Sequence, residues 1–266
     1  MKAQTKKIAT GLLLGWVVVF ILFSSKIAFR SYEVQNLNHV LESPNLKHWF
    51  GTDVLGRDLL SRVFYGAQIS LFIGTLGTFL ALMIGLFFGL VTGYCGGWVD
   101  RFLRRWIDLF ATFPPLLVAM LLTLILGRDL LGILISMSMT SWTPFARLVR
   151  AQVFKIKKFP YIEGATAIGC SPLRILLFHI LPNLINPLLL AMTFHIPNTI
   201  MLESFLSFIG LGLSPPLVSL GSLTREGLQT MHSYPHLTYI PSFTVFSAVF
   251  ALNWLGNHLR NHFTRK

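Results

Sequence analysis

Long stretches without charged residues divide the chain and predict its membrane-spanning helices. A helix needs about 20 mostly apolar residues to cross a bilayer, and six uncharged stretches approach or exceed that length. The predicted spans are Ile8–Ser25, Ile69–Val91, Leu109–Gly127, Leu130–Ala146, the stretch from Pro182 to Glu203, and Tyr239–Leu255. The pattern predicts an all-α, polytopic membrane protein with about six transmembrane helices and both termini on one side.

A seventh uncharged stretch, Ser204–Thr224, is long enough to span but contains too many helix breakers. Proline and glycine interrupt helices, and lipid leaves no partner for a freed backbone group. The breakers in this stretch are Gly210, Gly212, Pro215, Pro216 and Gly221. We predict an irregular segment at one membrane face.

Composition agrees with a membrane protein, and the charge indicates its orientation. Hydrophobic residues make up 53% of the 266 residues and charged residues 12%, against about 25% charged in soluble domains. With a cytoplasmic N-terminus, fifteen of the 22 basic residues lie in inner segments, and the outer segments are nearly neutral. This distribution follows the positive-inside rule. The net charge of +12 therefore indicates cytoplasmic termini rather than a nucleic-acid surface.

The first apolar stretch allows two interpretations. The basic residues Lys2, Lys6 and Lys7 before it resemble the start of a secretory signal peptide. Its apolar run is longer than the 7–15 residues usual in such peptides. We therefore favour an uncleaved membrane anchor.

A cytoplasmic segment between the fourth and fifth spans is predicted to form two short helices joined by a tight turn. Residues 161–168 permit a helix, and Gly169 suits a left-handed C-terminal position. Ser171 followed by Pro172 is typical of a helix start. From the residues alone, a simple solvated connector is slightly favoured over a surface that a partner binds.

The same segment resembles the EAA loop of ABC-importer permeases. The matching positions are Glu163, Gly164, Ala165, Gly169, Leu181 and Pro182. Gly164 replaces the first alanine of the motif, and His179 stands where the general motif has isoleucine. A histidine followed by Ile-Leu-Pro-Asn is similar to the dipeptide and oligopeptide branch of that family.

Other stretches, in the same order as in that branch, extend the resemblance from about His48 to the C-terminus. They are His48–Asp53 with Gly56–Asp58, Gly93–Tyr94 with Gly96–Asp100, Ala146–Arg150, and Leu206–Gly212 with Pro215–Pro216. The resemblance implies an ABC type I importer (MetI-like) permease fold in the cell (inner) membrane. It also implies four partners: a second homologous permease subunit, two cytoplasmic ATP-binding subunits and an extracytoplasmic substrate-binding protein.

The resemblance further implies transport of peptides, with a nickel or other small-solute importer as the alternative. ATP hydrolysis is expected on the partner subunits, since the sequence contains no GxxxxGK[ST] phosphate loop. Neither a cofactor nor a resident metal is expected. The predicted division is 1–29 for the tail and first span, 30–66 for an extracytoplasmic loop, and 67–266 for the permease core, with the coupling loop at about 150–182.

The family resemblance also assigns roles within the cytoplasmic segment, which it implies couples this chain to the ATPase. Glu163 is expected to contact a basic or backbone-donor partner, Gly169 to permit the sharp turn, and Pro182 to start or kink the next span. The implied coupling residues are Glu163, Gly164, Ala165, Gly169, His179, Leu181 and Pro182. Glycine instead of alanine at position 164 would destabilise the isolated helix by about 1 kcal/mol.

Isolated polar residues leave several alternatives open. Glu203 is either a functional charge facing a substrate path or a hydrated residue at the outer boundary. His232 and His236 have a spacing compatible with two metal ligands on a helix, but Tyr234–Pro235 between them makes a surface role the favoured one. Four asparagines are expected to bond across helices rather than line a path: Asn183, Asn186, Asn198 and Asn253.

Two further features concern packing and docking. Arg57 and Asp58 either support docking of a binding protein or form a local ion pair of little energetic value. Glycines on or near the second span are expected to allow close helix packing. They are Gly74, Gly77, Gly85, Gly89 and Gly93.

Overall fold

The structure is a computed structural model that describes residues 31–263, and the predicted first span at Ile8–Ser25 lies outside them. These residues form helices and loops, with no strand apart from one isolated bridge between Thr52 and Asp58. The α-helices are α1 Leu59–Cys95, α2 Gly97–Thr112, α3 Pro115–Leu126, α4 Leu130–Ile156, α5 Pro160–Ala167, α6 Pro172–Ile175, α7 Leu181–Phe208, α8 Leu220–Leu228 and α9 His236–Phe263.

Helices α1 and α4 pack side by side in the same direction, and glycines on α1 form the contact. A Cβ atom on Gly85 would lie 2.5 Å from the Cβ of Phe145, and one on Gly89 would lie 2.5 Å from the Cβ of Val149. One on Gly93 would lie 2.7 Å from the Cβ of Val153. Residues four apart share a helix face, so the predicted close packing is confirmed here.

The predicted span Leu109–Gly127 is wrong as a single straight helix. Helices α2 and α3 meet at Phe113 and Pro114 and are bent by 89°. Phe113 and Pro114 each precede a proline, which disfavours the α conformation, and both have extended backbones. The pair is therefore a broken span, with a charged arm (α2) and an uncharged arm (α3).

Helix α6 continues into α7 through one turn of π-helix, Leu176–Ile180. The N–H of Leu181 bonds to the carbonyl of Leu176, five residues back, just before Pro182 supplies no N–H at all. The wider turn sets Ile175 and Ile180, five residues apart, on the same buried face. Pro182 therefore lies inside a continuous helical path and does not begin a new span.

The stretch Ser204–Thr224 is irregular only in its middle. Helix α7 continues to Phe208 and α8 begins at Leu220, so residues 209–219 form the non-helical part. Two close contacts hold it in place. A Cβ on Gly221 would lie 2.2 Å from the carbonyl oxygen of Ser204, and one on Gly212 would lie 1.9 Å from the Oγ of Ser207.

Three of the described helical segments are long and apolar enough to cross a membrane, and the bent α2–α3 pair raises the number to four. The three are Leu59–Cys95, Pro172–Phe208 and His236–Asn261. Helix α4 is 27 residues long and extends ten residues beyond the predicted Leu130–Ala146. The all-α, polytopic class is confirmed, while the total of six spans stays a prediction.

Replacement of Gly89 by alanine tests the α1–α4 contact. We expect a net destabilisation of about 1–2 kcal/mol, because overpacking costs about 1–3 kcal/mol and alanine returns at most about 1 kcal/mol of helix propensity. The midpoint of thermal unfolding in detergent is the measurement.

Gly77→Ala is the matched control, because it lies on the same helix and gains the same helix propensity. Its Cβ would meet the Cβ of Met137 at 3.3 Å, a contact that a small shift relieves. Equal unfolding midpoints for Gly89→Ala and Gly77→Ala would contradict the role of Gly89 in the close contact between α1 and α4.

Candidate functional site

Helix α5 is amphipathic in the way that a docked surface helix requires. Ile162 and Ala165 are buried and join the hydrophobic core formed by α1, α4 and α7. Glu163 and Gly164 are exposed on the other side. The segment of residues 160–182, called the 160–182 segment below, is therefore packed onto the helices and is not a loose connector.

The turn after α5 has the geometry that the sequence predicts. Gly169 has a φ of +82° and its amide donates to the carbonyl of Thr166. A Cβ added to Gly169 would touch nothing within 4 Å, so the backbone angle, not space, requires glycine. Ser171 occupies the N-cap position before Pro172 as predicted, but its hydroxyl makes no capping hydrogen bond.

The two ends of the 160–182 segment are joined by side chains. Asn183 donates from Nδ2 to the carbonyl of His179 at 2.6 Å and to the hydroxyl of Tyr161 at 3.3 Å. The first bond lies within one helical path, and the second connects α7 to α5. The His179 Nδ1 is buried without a hydrogen-bond partner among the described residues.

A surface groove runs beside the exposed Glu163. Its walls are formed by Tyr94, Lys157, Ile162, Glu163 and Thr166, together with Ala167. Lys157 donates to the carbonyl of Tyr94 at 2.7 Å, and its ammonium group lies 5.0 Å from the centre of the Tyr94 ring. This arrangement fastens the end of α4 to the end of α1 and leaves Glu163 open to a partner.

The 160–182 segment also carries exposed apolar side chains. Ile168 is 82% exposed, Phe178 71% and Leu173 66%. Exposed apolar side chains of this size mark surfaces that contact another protein or lipid. The EAA-like motif identifies Glu163 and Gly169. It does not identify Ile168, Leu173 or Phe178.

Glu203 is completely buried, which does not fit the hydrated boundary position considered from sequence. Ser207 donates to one carboxylate oxygen at 2.7 Å and Ser70 to the other at 3.1 Å. Ser219 donates to the Ser207 hydroxyl at 3.0 Å, and the N–H of Leu220 donates to the Ser70 hydroxyl at 3.2 Å. The carboxylate thus joins α1, α7 and the start of α8, and a pathway role stays a prediction.

Arg57 and Asp58 do not form the local ion pair that was one of two alternatives from sequence, and a role in docking stays a prediction. Arg57 instead bonds to Asp53 at 2.7 Å, and Asp58 bonds to the ring of His48 at 2.9 Å. Asp58 also caps α1 by accepting the N–H of Ser61. Because Asp58 lies before the first turn of a helix, the N-terminal dipole favours its negative charge.

Arg62, which the sequence did not single out, is the centre of a charged cluster at the N-terminal end of α1. Its Nη1 lies 2.5 Å from Asp53 and 2.6 Å from Glu226, and Arg62 is only 1% exposed. The cluster of Asp53, Arg57, Arg62 and Glu226 joins residues 31–58 to α1 and α8. The available signal was a lone arginine four residues inside an apolar helix, a position expected to be paired.

The remaining polar candidates are placed as follows. His232 is exposed in a turn and His236 begins α9, so the two do not share a helix face. Asn253 bonds to Val249 within its own helix rather than across helices. Within residues 31–263, no group of three or more histidine, cysteine or acidic side chains could hold a metal ion.

Comparisons with known proteins give one consistent family. A family model described as "Binding-protein-dependent transport system inner membrane component" matches residues 85–266. The oligopeptide transport system permease protein OppC of Bacillus subtilis (strain 168) is 35% identical over 245 residues, which cover 92% of this chain and 80% of that protein. The glutathione transport system permease protein GsiD of Escherichia coli O157:H7 is 37% identical over 230 residues, 86% of this chain and 75% of that one.

Two solved structures share the fold. An inward-facing MetNI methionine ABC transporter aligns with a TM-score of 0.59 and 17% identity, covering 75% of this chain and 95% of that chain. An amino acid ABC transporter crystallised with histidines aligns with a TM-score of 0.57 and 15% identity, covering 75% and 93%. The predicted MetI-like fold is confirmed.

The charged cluster around Arg62 is expected to stabilise the fold. Arg62→Met removes a buried cation and leaves Asp53 and Glu226 with only Arg57 between them. Breaking a buried ion pair costs about 3–5 kcal/mol, so we expect a marked fall in the thermal unfolding midpoint. Arg147→Met is the control, because its pair with Asp108 is over half exposed on both sides and is worth about 0–1 kcal/mol. Similar unfolding midpoints for both variants would show that the cluster does not stabilise the contacts of residues 31–58 with α1 and α8.

Proposed function

The chain belongs to the family of binding-protein-dependent transport system inner membrane components, and from that premise we propose that it is a permease subunit of an ATP-driven importer that carries peptides across the cytoplasmic membrane. The observation that carries the proposal is the identity of 35–37% with an oligopeptide and a glutathione permease over most of the chain. Glutathione is itself a tripeptide, so both names indicate the same cargo chemistry. The nickel alternative is not favoured, since neither relative is named for a metal.

The proposed assembly contains a second homologous permease, two ATP-binding subunits and an extracytoplasmic binding protein. The absence of a phosphate loop in the sequence supports ATP hydrolysis on the separate subunits. The excess of basic residues near the 160–182 segment supports cytoplasmic termini and a position of that segment on the ATPase side. The division into residues 1–29, 30–66 and 67–266, with coupling at about 150–182, is part of this proposal.

The 160–182 segment is proposed to couple the chain to its ATPase. Its exposed side presents Glu163 with Ile168, Leu173 and Phe178, a carboxylate among apolar groups. A surface of this kind fits a partner groove with an apolar floor and a basic or N–H donor at its edge. Gly164 is exposed beside Glu163, and the missing methyl group leaves room for a partner's backbone.

Motion is proposed to pass from this segment into the spans by two connections. Ile162 and Ala165 pack in the same core as Val149, Val153 and the first turns of α7. The π turn then makes Pro172–Phe208 one helical path of 37 residues. ATP binding closes the partner dimer and moves the docked segment, and the spans tilt between inward-open and outward-open arrangements. The cargo biases these two states only by its different affinity for each.

The proposed coupling surface is tested by Glu163→Gln and Gly169→Ala. The first variant removes the charge for the partner, and the second forces alanine into a left-handed turn, a strain of about 1–2 kcal/mol. We expect each variant to lower co-purification of the ATPase subunits or ATP-driven uptake by at least about tenfold, equivalent to 1.4 kcal/mol of docking energy.

Gly164→Ala tests the room proposed for a partner's backbone, because its Cβ would touch nothing within 4 Å in the isolated chain and its backbone is helical. It should gain helix stability, so a loss of assembly in this variant alone would locate the partner directly against Gly164. If Glu163→Gln and Gly169→Ala assemble and transport like the parent, the coupling role is incorrect.

The cargo is tested by uptake competition in the assembled transporter. Short peptides should compete with a labelled peptide, and nickel ions should leave its uptake unchanged. Competition by nickel without competition by peptides would replace the proposed cargo with the metal alternative. Uptake by this chain alone, without ATPase subunits, would contradict the importer assignment itself.

A further inference from the structure

Helix α2 carries three separate faces. Its core side buries Ile107 and Asp100, and the Asp100 carboxylate pairs with both Nε and Nη2 of Arg150 at 2.5 and 2.6 Å. A second side presents aromatic residues at every fourth position, all between 46% and 70% exposed: Trp98, Phe102, Trp106 and Phe110. The third side is basic and exposed, with Arg101, Arg104 and Arg105.

The aromatic side opens onto an apolar cleft between α2, α1 and α4. The cleft holds about 600 Å³, within the ~300–1,000 Å³ range of ligand sites. Its walls include Phe88, Phe102, Trp106, Phe110, Met139 and Trp142. The lining surface is almost entirely apolar, so the cleft suits a hydrocarbon chain and not a polar solute.

The position of α2 places this cleft at a membrane boundary. Asp100 pairs with Arg150 near the end of α4, and Phe110 packs 5.8 Å from Trp142 further inside. Helix α3 is uncharged and bent by 89° from α2, so the two arms cannot both follow the membrane normal. An uncharged arm suits the hydrocarbon, whereas a charged, aromatic arm suits the membrane boundary, here on the side of the 160–182 segment.

Within the described residues, Arg101 and Arg105 have no ion-pair partner on their own helix, whereas the charge of Arg104 acts on Asp100. Asp100 is paired with Arg150, and Asp108 is paired with Arg147. The structure shows no ion pair for Arg101, Arg104 or Arg105 within residues 31–263. Basic residues at a membrane surface attract anionic headgroups, and Trp and Phe prefer the headgroup boundary.

We propose that α2 and its cleft form a binding site for one anionic phospholipid, with an acyl chain between Phe102, Trp106 and Trp142 and the phosphate near the arginines. The arginine charges favour an anionic lipid over a neutral one. The cleft gives that lipid a defined position, unlike anionic lipids that are attracted to the surface by charge alone. A bound lipid would fill the space between α2 and the α1–α4 pair and support α2 against the core.

The site is tested by photo-cross-linking of the assembled transporter in nanodiscs. The probes are phosphatidylglycerol and phosphatidylcholine, each with a diazirine on one acyl chain, and cross-linked peptides are mapped by mass spectrometry. In the parent, phosphatidylglycerol should label the peptides that carry Phe102, Trp106 and Trp142 about tenfold more than phosphatidylcholine. Arg101→Gln with Arg104→Gln and Arg105→Gln should remove that preference, and Met139→Trp should block labelling by both probes.

Two controls match these variants in chemistry. Lys155→Gln with Lys158→Gln removes two exposed cations from the same side, outside both α2 and the 160–182 segment, and should keep the preference. Met201→Trp places the same bulk on an exposed position of α7 and should keep labelling. Equal labelling of the parent by both probes, or labelling of the second permease with none on the cleft peptides, would overturn the proposal. These outcomes depend on bound lipid and not on transport, so they are independent of the proposed cargo.

Discussion

The close contact between α1 and α4 is the constraint on which the rest of the molecule depends. Gly85, Gly89 and Gly93 bring the two backbones nearer than any side chain would allow, over two turns of helix. Lipid supplies little hydrophobic driving force between helices, so dense packing of this kind carries much of the association. The 160–182 segment, the cleft beside α2 and the buried serines around Glu203 all take their positions from that pair.

Two buried charged side chains of the described helices, Glu203 and Arg62, are bonded to partners within the chain. Glu203 receives serine hydroxyls from two helices, and Arg62 lies between two carboxylates. An unpaired charge in a medium of low dielectric constant is costly. Both clusters join elements that are distant in sequence, so each stabilises a tertiary contact that apolar packing alone would leave free to slide.

The sequence predicted what depends on local chemistry. Long uncharged stretches located the three described helices that are long and apolar enough to cross a membrane, and Gly169 marked a turn whose φ of +82° requires glycine. The break in Leu109–Gly127 was also readable, from two successive residues before proline, but span length outweighed that signal. The long-range partners of Arg57 and Glu203 were not predictable, because Glu226 and Ser70 lie 169 and 133 positions away along the chain. Tertiary proximity of that kind leaves no periodicity in a single sequence.

The π turn at Leu176–Ile180 contains one more residue than a turn of α-helix. The number of residues between Arg174 and Pro182 therefore determines how the segment before the turn is oriented. If the turn relaxed into an ordinary α-helix with every residue kept, everything before it would rotate by about 100° relative to α7. Ile175 would then leave the core, and the surface around Glu163 would face elsewhere. Removing one residue would instead give an α-helix in which Ile175 and Ile180 are four apart and still share a face. The helix therefore absorbs one extra residue at this turn, so a single deletion here should preserve the orientation that a single insertion would lose.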